Sequence, residues 1–300
     1  MLGRPLELFL YDTGSEAKNA VTFVKRLIEQ DRVEFIVGGT TTGETMAVIA
    51  LVQAAGIPFI SLGGASVIVE PVKKWVFKTP HSDRMAVQKV YEDMRREGIS
   101  KVGLIAGAGG FDKSCLDNAQ QQAGNYGIQL VAVEQYGKDD TDVTPQLVRI
   151  RNAGAEAILF CGFGAASVTV TRNYAQLGMT QKLYHNHGSC SKQFINGAGA
   201  AAEGVRLPGA ALLVADQLPP DDPQRDVALQ YIKTYRAAYG EDVSTFGGHA
   251  YDGLMLLVNA IKAAGTTDRA AVRDALENIE LVGVDGIFRM THEDHMGLGL

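Results

Sequence analysis

Four stretches carry residues whose types and spacing could do chemistry. The first is Gly38-Gly39-Thr40-Thr41-Thr42-Gly43-Glu44, between a β-branched run (33–37) and an apolar helical run that begins at Thr45. A strand, a glycine turn with three hydroxyls and a helix start make a cradle for an anion or polar group. The first helical N–H groups are unpaired, and the positive end of the helix dipole faces the turn. Thr41 and Glu44 have capping-box spacing, which leaves Thr42 free to point outward. The second stretch, Gly63-Gly64-Ala65-Ser66, follows another short apolar run and adds backbone donors and one hydroxyl.

The third stretch, Gly107-Ala108-Gly109-Gly110-Phe111, sits where a dinucleotide turn would, but Asp112 replaces the last glycine of the G-x-G-x-x-G spacing. Neither that motif nor a P-loop lysine is present, so nucleotide chemistry is not supported. The fourth is His185-Asn186-His187, two imidazoles on one side of an extended segment. Zinc would need further ligands, and His249 serves only if folding brings it near; a loop histidine touching ligand or solvent is the simpler reading. Gly188-Ser189-Cys190-Ser191 lacks the G-x-S-x-G elbow, and no pair of carboxylates recurs at strand ends. What recurs is glycine with hydroxyl or aromatic residues: Thr40, Thr42, Gly63, Gly64, Ala65, Ser66, Phe111, Phe163, His187 and Phe246. Apolar walls with a few donors make a small-molecule pocket without catalytic machinery.

The elements that must position these residues alternate strand and helix. Short apolar strands are expected at 6–11, 33–37, 57–61, 101–106, 128–134, 157–161 and 182–185, with extended segments at 73–79, 205–214 and 284–290. Helices are expected at 15–30 (capped by Ser15), 42–55 (closed by Gly56), 83–97, 112–126, 165–177, 224–239, 249–264 and 268–279, with a further helix start at Thr144-Pro145, proline in its first turn. Strand follows helix after few residues, as in βαβ units with parallel sheets. The grammar restarts near residue 83, which predicts an α/β protein of two lobes. The first is expected over 1–82 and 214–283, the second over 83–213 and 284–300.

Composition agrees. The chain has 300 residues, 46% of them hydrophobic, enough for two real cores. A net charge of −6 without a basic block argues against nucleic acid and anionic membranes as partners. No apolar run reaches membrane-spanning length, and the first five residues do not read as a signal peptide. Cys115, Cys161 and Cys190 are odd in number, far apart and without metal spacing. They are expected to be small buried or half-buried residues, silent about redox compartment. No cofactor is expected.

Four blocks resemble a known family: 8–14 (Leu-Phe-Leu-Tyr-Asp-Thr-Gly), 37–61 from Val-Gly-Gly-Thr to Ile-Pro-Phe-Ile-Ser, 69–80 around Trp75, and 245–253 (Thr-Phe-Gly-Gly-His-Ala-Tyr-Asp-Gly). The chain is similar to the type I periplasmic solute-binding proteins of the leucine/isoleucine/valine-binding group, which feed ABC importers. The resemblance implies two Rossmann-like lobes joined by three hinge crossings, ligand trapped in the interlobe cleft by closure, a periplasmic location, an ABC permease as partner, and a monomer without enzymatic activity. It implies that Thr42 binds a ligand carboxylate, with Gly63, Gly64 and Ala65 completing that site through backbone amides. Ala65 has no hydroxyl, so either Ser66 substitutes or that contact is lost. Phe111 and Phe163 match aromatic wall positions of the second lobe, often Tyr, and Phe246 a wall of the first.

His187 stands where the amino-acid binders carry an acid that pairs with the ligand ammonium. The expectation is therefore an aromatic or apolar carboxylate ligand, with branched-chain amino acids next. Relative to the family pattern, a signal peptide, a strand and a helix would precede Leu6, and a terminal strand would follow Leu300. The rival class is a ligand sensor of the same fold, cytosolic or a receptor ectodomain; no helix-turn-helix precedes the first lobe to suggest a DNA-binding repressor.

Overall fold

A computed structural model describes every residue except Met1 and Arg4, so those two positions of the N-terminal lead-in lie outside the described residues. The chain divides into two units. Unit 1 runs to His81 and resumes over Ala210–Gly299; unit 2 is Ser82–Gly209 with Leu300.

Unit 1 begins with α1 (Ala17–Glu29), then β1 (Ile36–Gly38), α2 (Thr42–Ala55), β2 (Phe59–Ser61) and β3 (Val76–Lys78). The three strands form a parallel sheet in the order β1-β2-β3, with Val37 opposite Ile60 and Ile60 opposite Phe77. Phe59, Ile60, Val76 and Phe77 are buried, as strands covered on both faces require. Gly56, in the left-handed region at φ +60°, stops α2, and Ile57 N–H reaches back to the carbonyl of Val52.

Unit 2 repeats the pattern with longer strands. It contains α3 (Asp83–Arg96), β4 (Lys101–Ala106), α4 (Gly110–Gln122), β5 (Gln129–Gln135), α5 (Thr144–Asn152), β6 (Ala157–Cys161), α6 (Ala165–Gln176), β7 (Lys182–His185) and α7 (Lys192–Ala198). The sheet is parallel, in the order β5-β4-β6-β7, and every residue of β6 is buried. A crossover order with helices between parallel strands is the doubly wound arrangement, in which ligand-side turns gather at the carboxyl ends of the strands. The chain then returns to unit 1 for α8 (Pro223–Tyr239), α9 (Thr245–Ala264), α10 (Arg269–Leu276) and the antiparallel pair β8 (Glu280–Val282) and β9 (Ile287–Arg289).

Several expectations are corrected. Residues 6–11 form no strand: among the described residues none pairs with their backbone as a ladder, and Leu6, Leu8 and Leu10 are exposed. Ser15 does not cap α1. It sits at φ +61°, and Glu16 takes the cap position without its side chain accepting a capping bond. The 205–214 segment is not a strand but a single bridge, Arg206 to Tyr184, followed by a 3-10 stretch at Ala211–Gln217. α7 was missed, and α9 starts at Thr245 because Ser244 accepts the Gly247 N–H at 3.2 Å.

Residues 284–299 belong to unit 1, not to the second lobe. Their hairpin strand β9 pairs with β8, and Lys78 N–H of β3 donates to the His295 carbonyl at 3.1 Å. The buried His295 ring stacks on Phe77 at 4.1 Å, which ties the segment to the first sheet.

Candidate functional site

In unit 1 the β1–α2 turn is organised as its capping box requires. Thr41 N–H donates to Glu44 Oε2 at 2.9 Å, and Glu44 N–H donates to Thr41 Oγ1 at 3.2 Å. Glu44 is buried, and the Thr13 hydroxyl donates to its other oxygen. Gly39 turns the chain at φ +67°, a conformation that costs other residues. Thr40 is exposed, whereas Thr42 is buried and its hydroxyl makes no hydrogen bond among the described residues. Buried hydroxyls almost always have a partner, which sets this orphan at a helix N-terminus apart.

Thr45 and Ser61, absent from the candidate set, fasten this turn to the one after β2. Thr45 Oγ1 donates to the Gly39 carbonyl at 2.8 Å. Its single proton is thereby used, so across the 2.7 Å contact Ser61 is the donor. Ser61 Oγ in turn accepts the Gly63 N–H at 3.0 Å. This relay holds Gly63 against Gly39. Gly64, Ala65 and Ser66 follow, with Ala65 capping and Ser66 heading a 3-10 turn, Ser66–Ile68, whose two end residues are buried. The periodic pattern marked Thr45 and Ser61 only as helix and strand positions, and nothing in it signals that the two meet.

Phe246 lies in the first turn of α9 and is 43% exposed. One turn on, His249 Nδ1 is 3.0 Å from Asp285 Oδ2. Asp252 accepts the N–H groups of Val284 and Asp285 at 2.8 and 2.9 Å. Burial pushes the Asp252 carboxyl up to about 7 against those bonds, and burial likewise raises Asp285. His81 is pushed down to about 4 by burial, then by His249 and Lys78. These groups brace the α9 start against the β8–β9 turn.

In unit 2 the three sequence-predicted rings come together. Phe111 meets Phe163 edge-on at 5.7 Å between centroids and His187 edge-on at 5.3 Å. Phe111 is buried, His187 half-buried, and Phe163 40% exposed, so the cluster shows an aromatic face to solvent. Backbone and ring crowd closely: a Cβ at Gly188 would lie 2.9 Å from the Phe111 ring.

The two histidines of 185–187 do not form a pair. His185 is fully buried, with Nε2 3.2 Å from Thr171 Oγ1 and Nδ1 3.0 Å from Ser189 Oγ. The Thr171 hydroxyl already donates to the Ser167 carbonyl, so His185 carries its proton on Nε2 and accepts at Nδ1. Burial holds it neutral, its pKa pushed down to about 3. Among the described residues no three His, Cys, Asp or Glu side chains are grouped to hold a metal.

The Gly107–Phe111 turn is closed from within. Asp112 Oδ2 accepts the Gly109 N–H at 3.0 Å, and burial raises its carboxyl to about 6. An acid in that place opposes a phosphate. The cysteine expectation also changes: Cys115 and Cys161 are buried, as expected, but joined by a disulfide that leaves out Cys190. Their 46-residue separation hid a contact that only the packing of α4 on β6 makes.

Each unit is a parallel α/β scaffold, one carrying a hydroxyl-and-amide cradle and the other a ring cluster. The chain belongs to the periplasmic binding protein family, whose model matches residues 1–298. Its fold is that of type I periplasmic binding proteins, and it is similar to proteins of the branched-chain amino-acid group. A Leu/Ile/Val-binding protein homolog 2 of Brucella abortus is 21% identical over 281 residues, spanning 92% of this chain and 72% of that protein. An extracellular ligand-binding receptor from Rhodopseudomonas palustris HaA2 is 27% identical with a TM-score of 0.91, covering 96% of this chain and 83% of that one. A solute-binding protein of an ABC transporter from Rhodopseudomonas palustris BisB5, solved with 3,4-dihydroxybenzoic acid, shares the fold at a TM-score of 0.85 and 19% identity, covering 98% and 80%. The family's proteins are extracytoplasmic, non-enzymatic substrate binders of ABC transporters.

Proposed function

We propose that this chain is the solute receptor of an ABC importer and takes a small carboxylate with an aromatic or otherwise apolar body. One observation carries the choice: His187 lies in a three-ring cluster with Phe111 and Phe163, at the position where amino-acid binders of this group are expected to carry an acid. An imidazole offers no fixed negative charge to an ammonium, but it donates to a carbonyl, phenol or carboxylate. Aromatic edges and faces favour a flat ring over a branched aliphatic chain.

The carboxylate would go to the orphaned Thr42 hydroxyl and the amides of Gly63–Ala65, at the positive end of α2. Thr40 and Ser66 would border that cradle, and Phe246 would supply an apolar wall. The dihydroxybenzoate carried by the BisB5 protein is an example of the ligand class. Closure over the ligand would present a surface to an ABC permease, with the receptor acting as a monomer in the periplasm.

Titration calorimetry with leucine beside benzoates and phenylpropenoates tests the reading. Micromolar or tighter binding of an aromatic acid, with weak leucine, is the expected result. Tight leucine binding with silence across the aromatics would overturn it in favour of a branched-chain amino-acid receptor.

A further inference from the structure

The ring cluster of unit 2 is assembled from three separate turns, and all three run to one covalent bond. Phe111 stands four residues before Cys115, one turn away on the same face of α4. Phe163 stands two residues after Cys161, the last residue of β6. His187 follows Asn186, whose Nδ2 donates to Cys115 Sγ at 3.4 Å. The Asn186 amide is oriented from its other end, because Oδ1 accepts the Gly188 N–H at 2.9 Å.

Sheet register accounts for two of the three turns. β6 and β7 are paired, with Phe160 opposite His185, so their carboxyl ends are neighbours. α4 has no such ladder; it lies on β6 by packing and through the Cys115–Cys161 disulfide. Both cysteines and Asn186 are fully buried, so the tie is inside the protein, beneath the rings.

We propose that the Cys115–Cys161 disulfide, with Asn186 bonded to one of its sulfurs, is the positioning device that keeps Phe111, Phe163 and His187 in register as a preformed aromatic wall. It touches no ligand and acts through Phe111 and His187. A wall held before the ligand arrives spares the entropy of ordering three side chains on binding. The assignment to ligand recognition rests on the function proposed above; the assignment to ring register does not.

The test separates these layers. The first arm uses no ligand: the His187 ring-proton resonance, displaced by the neighbouring Phe111 ring, is compared in the wild type and in C115A/C161V. The expected result is a shift toward the value of a solvent-exposed histidine; an unchanged resonance overturns the proposal. In the second arm, calorimetry with 3,4-dihydroxybenzoate is run on the same pair of proteins in the wild-type and Phe111→Ala backgrounds. Removing the disulfide is expected to weaken binding roughly tenfold when Phe111 is present, and less than about twofold when it is absent. Equal losses in both backgrounds would mean a merely structural bond and sink the proposal.

Should C115A/C161V fail to fold, Asn186→Ala carries both arms with the disulfide intact, with about threefold weaker binding expected and an unmoved His187 resonance overturning the proposal. A wild type that binds none of the aromatic acids refutes the proposed function instead, and the resonance still decides the ring register.

Discussion

In unit 1 the candidate ligand contacts are held by a relay of hydrogen bonds, from the Gly39 carbonyl through Thr45 and Ser61 to the Gly63 amide. In unit 2 they are held by packing and a covalent bond: edge-on rings over a disulfide joining helix to strand. The two solutions suit what each is proposed to recognise. A carboxylate is read by donors whose direction matters, and a network in which every proton is assigned fixes direction. An apolar body is read by shape, and shape is kept by rigid, crowded side chains. The difference predicts that the units respond differently to the same kinds of perturbation.

The largest effect falls on the covalent side. Loss of a disulfide closing a loop of this length costs about 4 kcal/mol by the chain-entropy relation. C115A/C161V should therefore lose protection from amide hydrogen exchange throughout β4, β6 and α4, while β1–β3 exchange as before. Equal loss in both units would erase the contrast. Next is the hydroxyl of the cradle. Thr42→Val should weaken an aromatic carboxylate by about 1.5–3 kcal/mol, the worth of a hydrogen bond to a charged group, with the melting midpoint in the absence of ligand unchanged or raised. Calorimetry with the benzoate series measures it, and an unchanged Kd removes Thr42 from the site. Phe163→Ala should cost about 0.5–1.5 kcal/mol for aromatic ligands from lost ring contacts and far less for an aliphatic acid of similar length. A uniform loss across both ligand types would show that the wall does not select.

The smallest net effect is on pH dependence, because each unit opposes raised carboxyls to a depressed imidazole: Asp252 and Asp285 to His81 in unit 1, Asp112 to His185 in unit 2. Asp252, ordinarily at 3.8, sits at about 7 in unit 1, so the folded state binds its proton more tightly than the unfolded chain. That contribution is fully present below about 4 and is lost as pH rises to 7. Asp112 behaves the same way over a narrower window, to about 6, in unit 2. His81, at about 4, and His185, at about 3, run the other way: their contribution is present above 6.5 and is lost as pH falls through those values. Melting curves from pH 4 to 8 should accordingly be flat for the wild type. Asp252→Asn should leave only Asp285 to oppose His81 in unit 1, so that its stability falls relative to the wild type as the solution is acidified. A variant curve parallel to the wild type would show that Asp252 is ionised throughout.

Much of the architecture was legible from local pattern. The strands Lys101–Ala106 and Ala157–Cys161 and the helix Thr42–Ala55 fall where the apolar runs and caps place them, and a helix starts at Thr144 as Pro145 marks it. Their determinants are short-range: Thr41 with Glu44 at three residues, Gly56 at a helix end, Pro145 in a first turn. Residues 6–11 misled because an apolar run becomes a strand only when another backbone pairs with it. The 284–299 segment misled because its attachment, His295 on Phe77 and Val76, spans more than two hundred residues. Within the candidate site, residue types pointed to Thr42 and to the three rings, but not to their supports.

By itself, then, the sequence determined the alternation of strand and helix, the glycine turns at strand ends and the residue types that bear on a ligand, since all of these depend on neighbours within a few positions. Only the tertiary structure decided which hydroxyl is orphaned, that His185 is a buried neutral core residue while His187 joins the rings, that Ser61 completes the Thr45 relay, and that two of three cysteines are one bond. Each of those outcomes depends on burial or on a contact between distant segments, and neither quantity is carried by any local stretch of chain.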